Sequence, residues 1–127
     1  MSIKRFGAGE TGAGKQALPF ARAVEANGWL YVSGQTATEK GEIVGGGIAA
    51  ESRKAIEKMI AILNEADYRV EDVVRVGVWL DDPRDFWIFN SIYAEYFGAN
   101  PPARACVQSR MMLDCKVEID CVAYKQK

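Results

Sequence analysis

The stretch IAAESRKAIEKMIAILNEADYRVEDVVRVGVWL, residues 48–80, decides the fold because it places an amphipathic helix directly before an apolar strand. Apolar residues recur at steps of three and four between Ala55 and Ala66, which predicts one buried face of a helix. The run at 73–80 is rich in β-branched and aromatic residues, as is typical of a central strand. We expect this helix to connect two strands that are parallel neighbours, through a right-handed crossover.

Strand signals precede this unit. A short strand or arm, IKRF, leads into a glycine-rich loop, and the apolar runs FARAVEA and WLYVSGQ then follow. Asn27-Gly28 separates these two runs, and its easy positive φ predicts a tight hairpin turn. Lys40-Gly41 predicts a second turn, followed by another short strand.

A second helix and two further strands follow. Asp82 and Pro83 are suited to the cap and the first turn of a helix, whose aromatic residues continue at helical spacing to Phe97. The segments ARACVQ, at 103–108, and CKVEIDCVAY, at 115–124, read as strands. The order of elements predicts an α+β fold, with two helices on one face of a mostly antiparallel sheet.

Composition limits the function classes. The chain has 127 residues, 49% of them hydrophobic, which predicts a single domain over 1–127. Sixteen basic and seventeen acidic residues give a net charge of -1 without long runs of either sign, so nucleic acid is not an expected partner. The absence of an apolar leader and of an apolar run of about 18 residues predicts a cytoplasmic protein with no membrane partner.

The absence of histidine excludes an imidazole base, shuttle or metal ligand. The segment GETGAGK at 9–15 resembles a phosphate-binding loop, but Gln16 and Pro19 break the motif, and a plain flexible loop is the better interpretation. Three cysteines without a secretory signal predict free, structural thiols. Cys115 and Cys121 lie roughly 20 Å apart along one strand, too far for a shared metal ion.

Side chains on the last two strands separate by faces. Period two places Glu118 and Asp120 on the face opposite the apolar residues of their strand, where strand statistics alone favour simple solvation. Arg104 and Cys106 share a face of the preceding strand. If the two strands pair, a guanidinium, a carboxylate and a thiol line one polar groove.

These segments resemble the Rid superfamily, formerly called YjgF-like, along nearly the whole chain. The match is most specific in three motifs, which are SGQ at 33–35, the helical pattern of Asp85, Phe86, Asn90 and Tyr93, and PARACV at 102–107. The resemblance implies a chorismate-mutase-like α+β fold. It also implies a homotrimer with a central barrel and clefts between subunits.

The resemblance implies hydrolysis of reactive enamine and imine acids, such as 2-aminoacrylate or 2-iminopropionate, to 2-keto acids and ammonia. It assigns the catalytic roles to Arg104, which grips the carboxylate, and to Glu118, which positions water. The other residues that it places at the substrate are Phe20, Ser33, Gly34, Asn90 and Cys106. No metal or organic cofactor is expected.

These residue types fit the chemistry. A guanidinium offers a bidentate fork to a planar carboxylate and draws electron density from the imine carbon. Water must then add to the C=N carbon, and Glu118, assisted by a backbone carbonyl near Cys106, can orient it and relay a proton to the leaving nitrogen.

One departure keeps alternatives open. Phe20 stands where the most active aminoacrylate deaminases of the family have a tyrosine, so a hydroxyl at the substrate is missing. A larger or more apolar imine, or 2-aminomuconate, therefore remains a candidate substrate. A non-catalytic trimer that binds small carboxylates through Arg104 is the main alternative from another class. Ribonuclease activity has few acid-base candidates here, and chaperone-like holding is neither supported nor excluded.

Overall fold

Residues 2–11 and 16–126 of a computed structural model form a six-stranded sheet, a small separate hairpin and two α-helices. The rest of the phosphate-loop-like segment, residues 12–15, lies outside the described residues. The elements are β1 Ile3–Phe6, β2 Ala23–Ala26, β3 Trp29–Thr36, β4 Thr38–Glu39, β5 Glu42–Ile43, α1 Gly47–Glu65, β6 Val73–Leu80, α2 Phe86–Phe97, β7 Ala103–Gln108 and β8 Val117–Tyr124.

The large sheet has the strand order β1-β2-β3-β8-β6-β7. All neighbouring strands are antiparallel except β6 and β7, which pair in parallel. Both helices pack on one face of this sheet, and the predicted α+β class is confirmed. None of the helices in the described ranges is long and apolar enough to cross a membrane.

The two predicted turns are confirmed by their backbone angles. Asn27 and Gly28 have φ values of 53° and 87° between β2 and β3, and Lys40 and Gly41 have 53° and 82° between β4 and β5. The helix predicted from position 48 is also confirmed, as α1. The cap predicted at Asp82 accepts a hydrogen bond from the Arg84 N–H, but it begins a 3₁₀ turn at 83–85 that α2 then continues.

The prediction that α1 connects two strands that are parallel neighbours is wrong. β3 and β6 do run in the same direction, but β8 lies between them and pairs antiparallel with both. Among the described strands, only β6 and β7 are adjacent and parallel, and the crossover through α2 joins them. β8 has a continuous buried apolar face, which favours its central position between β3 and β6.

The two faces of the sheet differ in their cover. Alternate residues of β8 are buried under the helices, as the period-two pattern predicts, and these are Val117, Ile119, Cys121 and Ala123. The opposite face carries no helix, and several large apolar side chains on it remain exposed, namely Trp29, Tyr31, Val107 and Tyr124. We call this second side the open face.

We predict that Gly28→Ala destabilises the fold by roughly 2–4 kcal/mol, because a left-handed φ and a close contact both oppose a side chain there. A Cβ at Gly28 would lie 2.6 Å from the Lys125 carbonyl oxygen. Gly45→Ala is the matched control, since Gly45 also has a positive φ, 64°, with no atom near its missing Cβ. Urea unfolding should show a loss of about 1 kcal/mol for the control. Equal losses in the two variants would contradict the steric argument.

Candidate functional site

Arg104 lies in β7, the edge strand, with its side chain on the helix-covered face. Its guanidinium carbon is 4.8 Å from the ring centre of Tyr93, 5.7 Å from that of Phe89 and 5.8 Å from that of Phe86. All three rings belong to α2, which lies across this end of the sheet. Aromatic faces attract a guanidinium and compensate part of the cost of its desolvation.

Within the described part of the chain, the guanidinium of Arg104 has no anionic partner. Other arginines, such as Arg53 with Glu95 and Arg84 with Asp82, form ion pairs at 2.9 and 2.7 Å. Across residues 2–11 and 16–126, no side-chain hydrogen bond or ion pair involves Arg104. A half-buried cation with open donors favours an anion from outside the chain, and a carboxylate matches its fork best.

Two buried polar groups on α2 are also unpaired. The Asn90 Oδ1 and the Tyr93 hydroxyl make no hydrogen bond within the described part of the chain. Asn90 and Tyr93 lie one turn apart, on the helix face that also carries Phe86. Burial raises the pKa of Tyr93 to about 12, against the opposing effect of the Arg104 charge. The phenol therefore stays protonated at neutral pH and can donate a hydrogen bond beside the guanidinium.

Cys106 follows Arg104 on the same face of β7 and is half-buried. Burial raises the pKa of its thiol, while the Arg104 charge acts in the opposite direction. The thiol form is therefore favoured, which argues against a nucleophile and agrees with the expectation of structural thiols. Cys115 and Cys121 are buried and free.

A second cluster lies on β3 and β8. The pairing of these strands shifts register between Val32 and Gln35, and this bulge contains Ser33 and Gly34. A Cβ on Gly34 would overlap the carboxylate of Glu118, so only glycine leaves that carboxylate its present place. The sequence motif at 33–35 is thus explained by a close approach of backbone and side chain.

Phe20 lies near this second cluster, because the next residue, Ala21, is hydrogen-bonded to Ser33. The Ser33 hydroxyl donates to the Ala21 carbonyl at 2.7 Å, which holds the segment after Pro19 against β3. Phe20 and Ser33 line an open cavity of about 550 Å³ together with Arg5. Phe20 itself is 52% exposed.

The carboxyl group of Glu118 has an altered proton affinity. Burial raises its pKa, and the negative charge of Asp120 raises it further. Asp120 accepts a hydrogen bond from the Gly77 N–H at 3.1 Å. A raised pKa brings a carboxyl group closer to the range in which it can both accept and return a proton near neutral pH.

The groove expected from Arg104, Cys106 and Glu118 does not form within one chain. β7 and β8 are not paired, because β6 lies between them. Cys106 is in register with the buried Val78 and Glu118 with Trp79 on the opposite face. The predicted residues therefore form two separate groups, an arginine cluster (Arg104, Asn90, Cys106) and a glutamate cluster (Glu118, Gly34, Ser33, Phe20).

The sequence pattern predicts that the aromatic residues of α2 continue at helical spacing, but it assigns none of the three rings to the surroundings of Arg104. The structure shows that Phe86, Phe89 and Tyr93 also form the surface on which the guanidinium lies. Their spacing of three and four was visible in the sequence, but only the pairing of β7 with β6 places Arg104 opposite them. Among the described residues there is no group of three metal-ligating side chains.

The model of the family described as Endoribonuclease L-PSP matches residues 12–125, so the chain belongs to this family, known also as the YjgF or Rid family. A RutC family protein of Pyrococcus horikoshii is 41% identical over 85% of this chain and 88% of that protein. A human protein named 2-iminobutanoate/2-iminopropanoate deaminase is 37% identical over 84% of this chain and 80% of that protein. The crystal structure of the E. coli YjgF gene product has a TM-score of 0.84 at 27% identity, and the match covers 97% of this chain and 99% of that one.

We predict that the pKa of Glu118 falls toward its ordinary value in Asp120→Asn. This change removes the neighbouring charge but keeps an oxygen acceptor for the Gly77 N–H. An NMR titration of the Glu118 side-chain carboxyl carbon measures the pKa directly in both proteins. A wild-type pKa at or below 4.5, the ordinary value for this group, would contradict the environment described above.

Proposed function

We propose that this protein is an enamine and imine deaminase, which hydrolyses 2-imino acids of the 2-aminoacrylate and 2-iminopropionate class to 2-keto acids and ammonia in the cytoplasm. The observation that carries the proposal is the half-buried guanidinium of Arg104, which has aromatic rings around it and no anionic partner among the described residues. The family match and the deaminase name of the human relative support the same chemistry.

Arg104 binds the substrate carboxylate in this proposal. Its fork holds both oxygens, and the bound cation withdraws electron density from the adjacent imine carbon. The Tyr93 hydroxyl and the Asn90 side chain lie on the facing helix and offer a further donor and acceptor. The polar groups left unpaired in the described structure are thus used when the substrate is present.

Glu118 then serves as the proton carrier. It takes a proton from water as the water oxygen bonds to the imine carbon and the C=N π electrons move to the nitrogen, and it passes that proton to the nitrogen. In the resulting carbinolamine, the Glu118 carboxylate takes the proton of the hydroxyl group and gives it to the amine nitrogen. The C–N bond breaks, ammonia leaves, the hydroxyl oxygen becomes the keto oxygen, and the Glu118 carboxylate is restored. This cycle requires no cofactor, and the raised pKa of Glu118 suits both transfers.

The two clusters must come from different chains for these roles to combine. We infer a homotrimer in which the arginine cluster of one subunit meets the glutamate cluster of the next in a cleft. The open face supports this assembly. Its exposed aromatic residues are Trp29, Tyr31 and Tyr124, and an exposed apolar patch of this kind is typical of a surface that is buried against another protein chain. A closed ring of identical contacts gives three equal sites.

A trimer that binds carboxylates without turning them over is the second candidate. It is favoured by Phe20, which has no hydroxyl to bond to substrate or water. The raised pKa of Glu118 opposes this candidate, because a protein that only binds a carboxylate has no need of a proton carrier. The two candidates share Arg104 and differ only in whether ammonia is formed.

We predict that Arg104→Ala and Arg104→Lys each lower kcat/KM for 2-iminopropionate by about 100-fold or more, because neither keeps the planar fork. Ammonia release from imine generated in situ by an amino-acid oxidase measures the rate. Arg110→Ala is the matched control, since that side chain is 80% exposed, and its activity should equal the wild type. If no imine is hydrolysed but pyruvate binding still depends on Arg104, the binding-only function is correct.

We also predict that two inactive variants restore each other's activity. Co-expressed Arg104→Ala and Glu118→Gln chains should regain about a quarter of the wild-type activity, because random assembly joins an intact arginine cluster to an intact glutamate cluster at that frequency. Each variant expressed alone stays inactive. If the co-expressed mixture remains as inactive as its components, the shared site is disproved.

A further inference from the structure

A cavity of about 220 Å³ lies beside Arg104, at the ends of β6 and β7. Its lining is mostly apolar and consists of Leu80, Pro83, Phe86, Trp87, Cys106, Val107 and Gln108. The one amide in it is already engaged, since the Gln108 Nε2 donates to the Asp81 carbonyl at 3.0 Å. None of the described residues that line this cavity has a charged side chain.

The cavity adjoins the proposed carboxylate position. Phe86 lines the cavity and also has its ring centre 5.8 Å from the Arg104 guanidinium carbon. Cys106 lines it from the same face of β7 that carries Arg104. A molecule with its carboxylate on Arg104 can therefore extend past Cys106 into the cavity.

We propose that this cavity receives the side chain of the substrate, that the preferred 2-imino acids have a bulky apolar side chain, aromatic or branched, and that Trp87 determines this preference. The inference rests on the proposed deaminase function and names its substrate class. The volume exceeds the roughly 150 Å³ of a protein cavity that holds benzene. A methyl group, as in 2-iminopropionate, leaves most of it unfilled.

The aromatic lining supports this substrate class. The rings of Phe86 and Trp87 lie 5.1 Å apart at 78°, an edge-to-face pair that presents apolar surface to a third group. Trp87 is 76% exposed, so it contributes little to the core, and its ring is free to lose contact with water when a ligand side chain packs on it. A second carboxylate would find no cation in the cavity lining, which disfavours a dicarboxylate such as 2-aminomuconate here.

The test compares kcat/KM for imines made in situ from alanine, leucine and phenylalanine, with oxidase activity adjusted so that each imine forms at the same rate. We expect the wild type to prefer the leucine and phenylalanine imines over the alanine imine. Trp87→Ala should lower that preference about tenfold. Ile88→Ala is the matched control, because Ile88 is the next residue of α2, is 49% exposed and does not line the cavity.

Two results would overturn the inference: a wild-type preference for the alanine imine, or an unchanged ratio in Trp87→Ala. If no imine at all is hydrolysed, the proposed function fails separately, and calorimetric binding of phenylpyruvate against pyruvate still tests the cavity. Tighter binding of phenylpyruvate that Trp87→Ala abolishes supports it, and equal binding of the two keto acids overturns it.

Discussion

The position of β8 between β3 and β6 is the constraint on which the rest of the structure depends. This strand buries every second residue, from Val117 to Ala123, against the helices. A slip of one residue would turn that apolar set to the open face and bring Glu118 into the core, so the register is strongly fixed. The contact between Gly34 and Glu118 therefore follows from core packing, although neither residue belongs to the core.

The same alternation separates the two groups of polar residues. Strands that are neighbours in the sheet keep matching faces, so Arg104 shares the helix-covered face with Val76, its register partner, and Glu118 shares the open face with Trp79. A guanidinium without a counter-charge is costly on a covered face, and the rings of α2 compensate only part of that cost. Proteins break the rule that buried charges are paired most often at functional sites, and the position of Arg104 therefore supports its proposed role.

Local patterns predicted the elements of this fold well and their arrangement less well. The helix at 47–65, the Asn27-Gly28 turn and the two-faced last strand all follow from periodicity or from turn chemistry within a few residues. The place of β8 between β3 and β6 depends on contacts between distant segments, which no local period contains. The separation of Arg104 from Glu118 depends on the same strand pairing.

Phe20, which has no hydroxyl, and the mostly apolar cavity beside Cys106 both favour an apolar substrate. Phe20 presents an exposed apolar ring on the glutamate side, and Trp87 presents another on the arginine side. The protonated hydroxyl of Tyr93, whose pKa is raised to about 12, already supplies a donor next to Arg104. In the proposed reaction, a substrate with its carboxylate on Arg104 gains less from one more hydroxyl than from apolar contact along its side chain. Phenylalanine at position 20 thus agrees with the proposed preference for apolar substrates and with the proposed hydrolysis.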